Sequence, residues 1–273
     1  MIIKKIKAYQ FVRKIYESSN YYKSKIAKFN EQVAKLNAEV ELKNSELIDI
    51  YFGNGLRILG GPFEGMQYIS KSSGSTLFPK LIGSYEESIQ KIVQKSIITN
   101  YDKIIDVGCA EGYYAVGFAY KCPKSKIIAC DLDEIAINNL NQLIDINNVS
   151  NVEIRHEGFD TESLNQVLEK VEKTLLICDI EGHEVDLLDI EKVPNLRNVD
   201  MIIESHDCFI DGISEMLIKR FYDSHIIEVI INYDFLVNKY PILDDMPHNI
   251  AKYMTNEQRP SQMKFLYLKA LIN

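Results

Sequence analysis

Long apolar runs are what this chain most plainly lacks. No stretch approaches the ~18 apolar residues needed to cross a bilayer. The opening Met1-Ile2-Ile3 is broken at once by Lys4, Lys5 and Lys7, so no signal-peptide core is expected. Cys-x-x-Cys spacing is absent too. The five cysteines, Cys109, Cys122, Cys130, Cys178 and Cys208, are odd in number and lie mostly in or beside apolar strand-like runs. They read as buried thiols in a reducing compartment and not as a disulfide framework. Positive charge is scarce: 31 Lys and Arg stand against 39 Asp and Glu in 273 residues, a formal net charge of -8. A phosphate-binding surface needs clustered Lys and Arg, so no nucleic acid partner is expected, and a small or neutral substrate is. These absences together suggest a cytoplasmic protein, soluble or peripheral at the inner face of a membrane.

Gly and Pro are missing from residues 3–48, where Tyr22, Ile26, Phe29, Val33, Leu36 and Val40 follow one another at alternating steps of four and three. That spacing predicts a long helix with a heptad seam, continued through Lys43 to Leu47. The seam could join copies of the chain into a homo-oligomer or pack on the rest of the molecule. Residues 1–28 hold eight Lys or Arg against the single acid Glu17, net +7, which leaves -15 for residues 29–273. With Ile6, Tyr9, Val12 and Tyr16 interleaved, this end could make peripheral contact with an anionic membrane or an acidic partner, or simply present a solvated face.

Gly, Ser and Pro concentrate between 51 and 84, the composition of turns, so residues 49–84 read as a linker or a substrate-facing cover. From Tyr85 onward helical periodicity alternates with short apolar runs near 103–107, 126–131, 152–156, 174–179, 199–204, 226–231 and 264–269. The expected fold is α/β: a Rossmann-like, mostly parallel seven-stranded sheet with helices on both faces over 85–273, preceded by the N-terminal helical segment 1–48.

The first of those runs delivers Asp106-Val107-Gly108-Cys109-Ala110-Glu111-Gly112, with a helix beginning near Tyr113. Gly108 and Gly112 let the backbone turn sharply and approach a ligand. A pyrophosphate would favour G-x-G-x-x-G, but the loop reads G-x-A-x-G, and Tyr113 stands where the last glycine would be. An acidic residue before the first glycine suits a ligand with positive charge. S-adenosylmethionine carries both a sulfonium and an ammonium, so Asp106, Gly108, Ala110 and Gly112 are candidate residues for that cofactor. Asp131, about twenty residues past the loop, suits its ribose hydroxyls. Phe159 and Asp160, after the third strand, could stack on and hydrogen-bond to its adenine.

The segments IIDVGCAEGYYAV, IIACDLDEIA and LLICDIEGHEVDLL resemble successive motifs of class I S-adenosylmethionine-dependent methyltransferases. The last is similar to the K-x-D-x-E-G-x-E segment of the FkbM-like family. The likeness covers roughly residues 80–270. Cys109-Ala110 stands where FkbM relatives often have Ala-Asn, and Asp131-Leu132 replaces their usual Glu-Pro. The resemblance implies an O-methyltransferase acting on a sugar, glycan or other small molecule.

Ligands of open parallel sheets sit beyond the carboxyl ends of the strands. Two acidic clusters fall there, Asp179-Ile180-Glu181-Gly182-His183-Glu184 and Glu204-Ser205-His206-Asp207. The expected arrangement makes His206 a general base for the acceptor hydroxyl, its imidazole held by Asp179 or Glu204. A second arrangement uses Asp179, Glu204 and Asp207 to hold a divalent ion such as Mg2+. Glu181 and Glu184 could instead merely begin the next helix. Lys80, Tyr85, His183 and Arg259 are candidate acceptor contacts, although ordinary surface loops would carry the same residues. Asp179-Ile180-Glu181-Gly182 also stands in place of the N-P-P-Y tetrapeptide of many nucleic-acid amino-methyltransferases, which argues against base methylation. A non-catalytic scaffold that binds S-adenosylmethionine is the alternative of another class.

Overall fold

The computed structural model describes residues 20–53, 55–170, 172–233 and 236–271. The basic segment 1–19 lies outside them, and with it most of the expected membrane contact. Two compact units divide between residues 54 and 55.

Among the described residues the first unit is the helix Asn20–Tyr51, which ends three residues beyond the expected segment 1–48. Among its described side chains the seam residues Ile26, Phe29, Val33, Leu36 and Val40 are exposed. No helix among the described residues is long and apolar enough to cross a membrane.

The second unit is built on seven strands: β1 Lys103–Val107, β2 Lys126–Cys130, β3 Val152–Arg155, β4 Thr174–Cys178, β5 Asp200–Ser205, β6 His225–Ile231 and β7 Lys264–Ala270. They form one sheet in the order β3-β2-β1-β4-β5-β7-β6. β1 to β5 are mutually parallel, and β7 runs antiparallel to both β5 and β6. The dinucleotide order 3-2-1-4-5-6 thus gains a final strand inserted between the fifth and sixth.

Burial explains the composition of each strand. β1, β4 and β5 are buried along their whole length, as a parallel sheet covered on both faces requires; Ile, Leu, Met, Val and Cys fill their middles, and buried polar residues such as Lys103, Asp106, Asp200 and Glu204 stand at or near their ends. The edge strands β3 and β6 are only partly buried. Helix Glu134–Asn147 is started by Asp133, whose carboxylate accepts from the Ile135 N–H, and helix Thr161–Leu168 by an Asp160/Ser163 capping box.

Residues 55–84 belong to this second unit and do not form a free linker. Arg57 pairs with Gln67 as an isolated bridge, and Leu77–Ile82 is a short, wholly buried helix ended by Gly83 in the left-handed conformation. Phe63 is fully buried and meets Tyr113, Tyr114 and Phe118 edge to face at centroid distances of 5.2, 5.9 and 5.4 Å. These rings fasten the cover to helix Tyr113–Lys121.

Gly117 faces that cluster, and a Cβ there would come within 2.6 Å of the Phe63 ring. Replacing a helical Gly by Ala ordinarily gains about 1 kcal/mol. Overpacking a closed core costs ~1–3 kcal/mol, and a ring held on three sides cannot withdraw. Gly117→Ala is therefore expected to lower the urea unfolding midpoint, corresponding to a net loss of up to about 2 kcal/mol once the helix gain is deducted; a raised midpoint would show that the cluster yields.

Candidate active site

A cavity of about 890 Å³ lies beyond the carboxyl ends of β1, β2, β4 and β5. β1 leads to β2 and β3 on one side, whereas the chain returns to β4 on the other, so the cavity opens at the switch in strand order. Cover residues 73–75, 80, 85 and 86, together with Glu257 to Pro260, complete its wall.

The glycine loop is shaped by contact with its neighbours. Gly108 has φ 81°, and a Cβ on it would fall 1.7 Å from the Asp179 carbonyl oxygen. Gly112 has φ 96°, and its Cβ would meet Leu140 at 2.4 Å. Ala110 also takes a left-handed conformation, φ 48°, and its N–H donates to Asp131 Oδ2 at 2.8 Å. Asp131 Oδ1 accepts from the Asp133 N–H at 2.9 Å. The carboxylate at the end of β2 is thereby fixed on the cavity wall by the loop itself.

Asp106 is buried at the cavity floor, and its Oδ2 has no hydrogen-bond partner among the described residues. Burial, reinforced by the negative charge of Asp179, Asp131 and Glu86 and opposed by the Ala115 N–H, pushes its carboxyl up to about 8. Phe159 lines the cavity with the Arg155 guanidinium 4.8 Å from its ring centroid. Asp160 also reaches the lining, while its Oδ1 is committed to the cap through Ser163.

At the opposite side, His206 is buried, stacks on Phe209 with ring centroids 5.6 Å apart, and places Nδ1 2.6 Å from Glu184 Oε1. Its Nε2 faces Asp179 Oδ1 at 3.4 Å and Glu181 Oε2 at 3.5 Å. Glu184, expected as an alternative to be a mere helix-starting acid, is fully buried, and the helix it opens, Glu184–Leu187, is a single turn. Burial would raise the Glu184 carboxyl, but His206 and the loop N–H groups outweigh it and hold it below the usual range. Burial would likewise lower the His206 imidazole, yet Glu184, Asp179 and Glu181 hold it above its ordinary value. Asp179 is raised to about 6, by burial first and then by Glu86 and Glu181, against His206 and Arg259.

Glu204 does not hold His206. Its carboxylate pairs with Arg259, which also binds Glu86 at 2.6 Å and Glu257 at 3.0 Å. Burial, then Asp179 and Glu86, still push Glu204 well above the usual carboxylate range. Asp207 is turned away from the cavity, accepting from Ser205 Oγ and the Ser214 N–H near the start of helix Ile213–Phe221. The expected metal set Asp179, Glu204 and Asp207 is therefore not assembled; Asp179 meets Glu181 and His206 instead.

Lys80 is buried against Glu111 at 2.5 Å, and Glu111 also accepts from Tyr68 Oη, Ser72 Oγ and the Ser73 N–H. Tyr85 lies between the two cations, 4.9 Å from Lys80 Nζ and 5.6 Å from the Arg259 guanidinium carbon, measured to its ring centroid. His183 is exposed on the cavity rim. His225 is structural: its Nε2–H donates to Val199 O, and its Nδ1 pairs with Ser224 Oγ. Glu86, Glu111 and Glu184 were not singled out for these roles by the sequence. Glu86 is a buried non-glycine residue at φ 48°, a conformation that no sequence pattern announces.

No family model matches the chain, and no curated protein matches it. Among solved structures it is similar to an rRNA methylase from Streptococcus thermophilus, at 16% identity and TM-score 0.44, over 67% of this chain and 96% of that one. It is similar to WbdD, solved with a kinase inhibitor, at 17% identity and TM-score 0.43, over 67% of this chain but 39% of WbdD. It is also similar to TYW2 of M. jannaschii, solved in complex with AdoMet, at 14% identity and TM-score 0.41, over 67% of this chain and 75% of that one. At such values the functional reading rests on this chain's own side chains.

Lys80 and Glu111 supply a test of how the cover is held. Burial would raise Glu111, but Lys80 outweighs it and holds the carboxyl below its ordinary value. The pair's contribution is therefore complete above the unfolded carboxyl pKa of ~4.3 and is lost as pH falls through the depressed folded value. Lys80→Met leaves a buried carboxylate without its cation, a change that costs about 3–5 kcal/mol. Urea unfolding between pH 7 and pH 3 should show that loss at pH 7, with the difference from the parent protein narrowing in acid.

Proposed function

We propose that the chain is an S-adenosylmethionine-dependent methyltransferase, related to the FkbM-like enzymes, that methylates a hydroxyl of a sugar, glycan or other small molecule. The observation that carries the reading is the orphaned, buried Asp106 Oδ2 beside a G-x-A-x-G loop whose Ala110 N–H fixes Asp131. A buried carboxylate without a partner is costly, and a cationic ligand group relieves it. The Asp131 carboxylate, fixed by two N–H groups, keeps lone pairs that suit a pair of vicinal hydroxyls. Bound there, S-adenosylmethionine supplies an electrophilic methyl group carried on a sulfonium.

The chain's own part in the reaction is positioning and proton removal. Asp179, Glu181 and His206 stand at the ends of β4 and β5, where an acceptor would reach the same cavity. Glu184, locked on Nδ1, leaves Nε2 directed at the cavity side as the hydroxyl's proton acceptor. The buried rings of Tyr85 and Tyr113 in the cavity lining limit water on their side, while Phe209 stacks on the His206 ring. The surplus of carboxylates on this wall disfavours polyanionic acceptors, in keeping with the net charge of -8.

Calorimetry tests the cofactor half. In the ligand-free protein Asp106 is largely protonated below about 8, so binding a cationic ligand that favours its carboxylate must release a proton. S-adenosylmethionine affinity is expected to rise with pH towards 8 and then level off, with proton release read from titrations in buffers of different ionisation enthalpy. Asp106→Asn should weaken binding and remove the pH dependence, and preferential binding of NAD would defeat the assignment. For the chemical half, His206→Ala should lower turnover at least ~100-fold while leaving S-adenosylmethionine affinity nearly unchanged, measured against a panel of sugars, glycans and phenols.

A further inference from the structure

We propose that Asp179, Glu181 and His206 form a seat for one divalent ion of the Mn2+ type at the acceptor end of the cavity. The role given to the ion rests on the methyltransferase reading; the seat itself rests on the geometry of three ligand atoms. His206 Nε2, Asp179 Oδ1 and Glu181 Oε2 all lie within 4.8 Å of one another, with the imidazole 3.4 and 3.5 Å from the two oxygens. Adjacent ligands of an octahedral ion bound at ~2.1 Å stand about 3 Å apart. The two imidazole pairs would close by about half an ångström and the two oxygens, within 4.8 Å of each other, by up to about 1.8 Å.

Two observations independent of this proximity point to a bound cation. His206 is a deeply buried side chain, 3% exposed, whose Nδ1 is occupied by the fully buried Glu184. With Nδ1 paired to Glu184, Nε2 is the ring atom left to a ligand, and an ion seated between it and the two carboxylates would take the place of any proton it carries. A carboxylate behind a metal-binding histidine is the recurring device that fixes its tautomer and strengthens it as a ligand. The second observation is Asp179 Oδ1, which has no hydrogen-bond partner among the described residues although it is shut away from solvent. An oxygen so placed lacks the compensation its burial requires.

The donor set also selects the ion. Two carboxylates and one imidazole suit a first-row divalent ion that accepts both oxygen and nitrogen, such as Mn2+, better than the all-oxygen shell of Ca2+. Three protein ligands leave positions open for a substrate oxygen, as catalytic metal sites do and closed structural sites do not. An acceptor hydroxyl coordinated there would have a lowered pKa. Its O–H bond would break with the proton passing to solvent water, and the oxygen would then bond to the methyl group as the methyl–sulfur bond of the sulfonium breaks. With the ion bound, Nε2 of His206 would be a ligand in place of the proton acceptor it is without the ion, Glu184 the residue that positions it, and Glu204 and Asp207 would take no part.

The test uses the full chain treated with EDTA and desalted, titrated with Mn2+ alone, with free Mn2+ read by electron paramagnetic resonance. One Mn2+ per chain is expected. Glu181→Gln, at an exposed side chain where folding is not at stake, should weaken Mn2+ binding tenfold or more, and His206→Gln by at least as much. Glu184→Gln should weaken it less and leave S-adenosylmethionine affinity untouched. Failure to bind one equivalent, or Glu181→Gln binding as tightly as the parent, overturns the seat. S-adenosylmethionine titrated into the same EDTA-treated protein separates the two claims. Cofactor binding without Mn2+ binding removes the seat alone, whereas Mn2+ binding without cofactor binding keeps the seat and removes the methyltransferase role.

Discussion

The cavity depends on one close approach of backbone to backbone, that of Gly108 to the carbonyl of Asp179, where a single methyl group would collide at 1.7 Å. β1 and β4 are adjacent at the strand-order switch, so whatever follows β1 must turn away immediately to leave the crevice open. Only a residue without Cβ can make that turn against the neighbouring chain. From this contact follow the direction of the helix that starts at Tyr113 and the placing of the Ala110 N–H on Asp131. The Asp179 N–H, bound to Val107 O at 3.0 Å, ties the same two strands together one peptide away. Cofactor side and acceptor side are thus two faces of a single backbone junction.

Charge organises the rest of the wall. Glu86, Glu204 and Glu257, on three separate segments, converge on Arg259, a residue near the end of the chain. One guanidinium can offer paired N–H groups to several carboxylates where an ammonium could not. Burial would lower Arg259, but Glu86, Tyr85, Glu204 and Glu257 hold it charged, so it anchors the wall permanently. Even so, Asp106, Asp179 and Glu204 are all pushed upward, by burial first and then by the charge of neighbouring carboxylates.

Much of this was legible in the sequence because it is local. The strands fall within about one residue of the apolar runs that announced them, since a doubly covered parallel sheet demands uninterrupted apolar stretches. The glycine loop, Asp106 and Asp131 declared themselves by spacing along one strand-loop-helix unit. What was not legible joins distant parts of the chain. Glu204 stands two residues from His206 and Glu184 twenty-two, so sequence proximity favoured the wrong partner, and only the turn at Gly182 brings Glu184 under the ring. Arg259 was noticed as a rim residue, but its partner Glu86 lies 173 positions away, and the left-handed backbone that presents Glu86 has no signature in composition. The cover 55–84 read as loose because Gly and Ser dominate it, whereas Phe63 and Lys80 fix it by contacts made with helix Tyr113–Lys121 and with Glu111.

Glu111 gives that cover an unexpected mechanical character. It sits inside the glycine loop, yet its carboxylate collects Lys80, Tyr68, Ser72 and the Ser73 N–H, all from the cover. Swinging the cover aside would strip a buried carboxylate of every partner at once, so this side of the cavity is a fixed wall and not a lid. Traffic of small molecules must then pass the other rim, between His183 and Phe209, where the side chains are exposed and no such knot has to be undone.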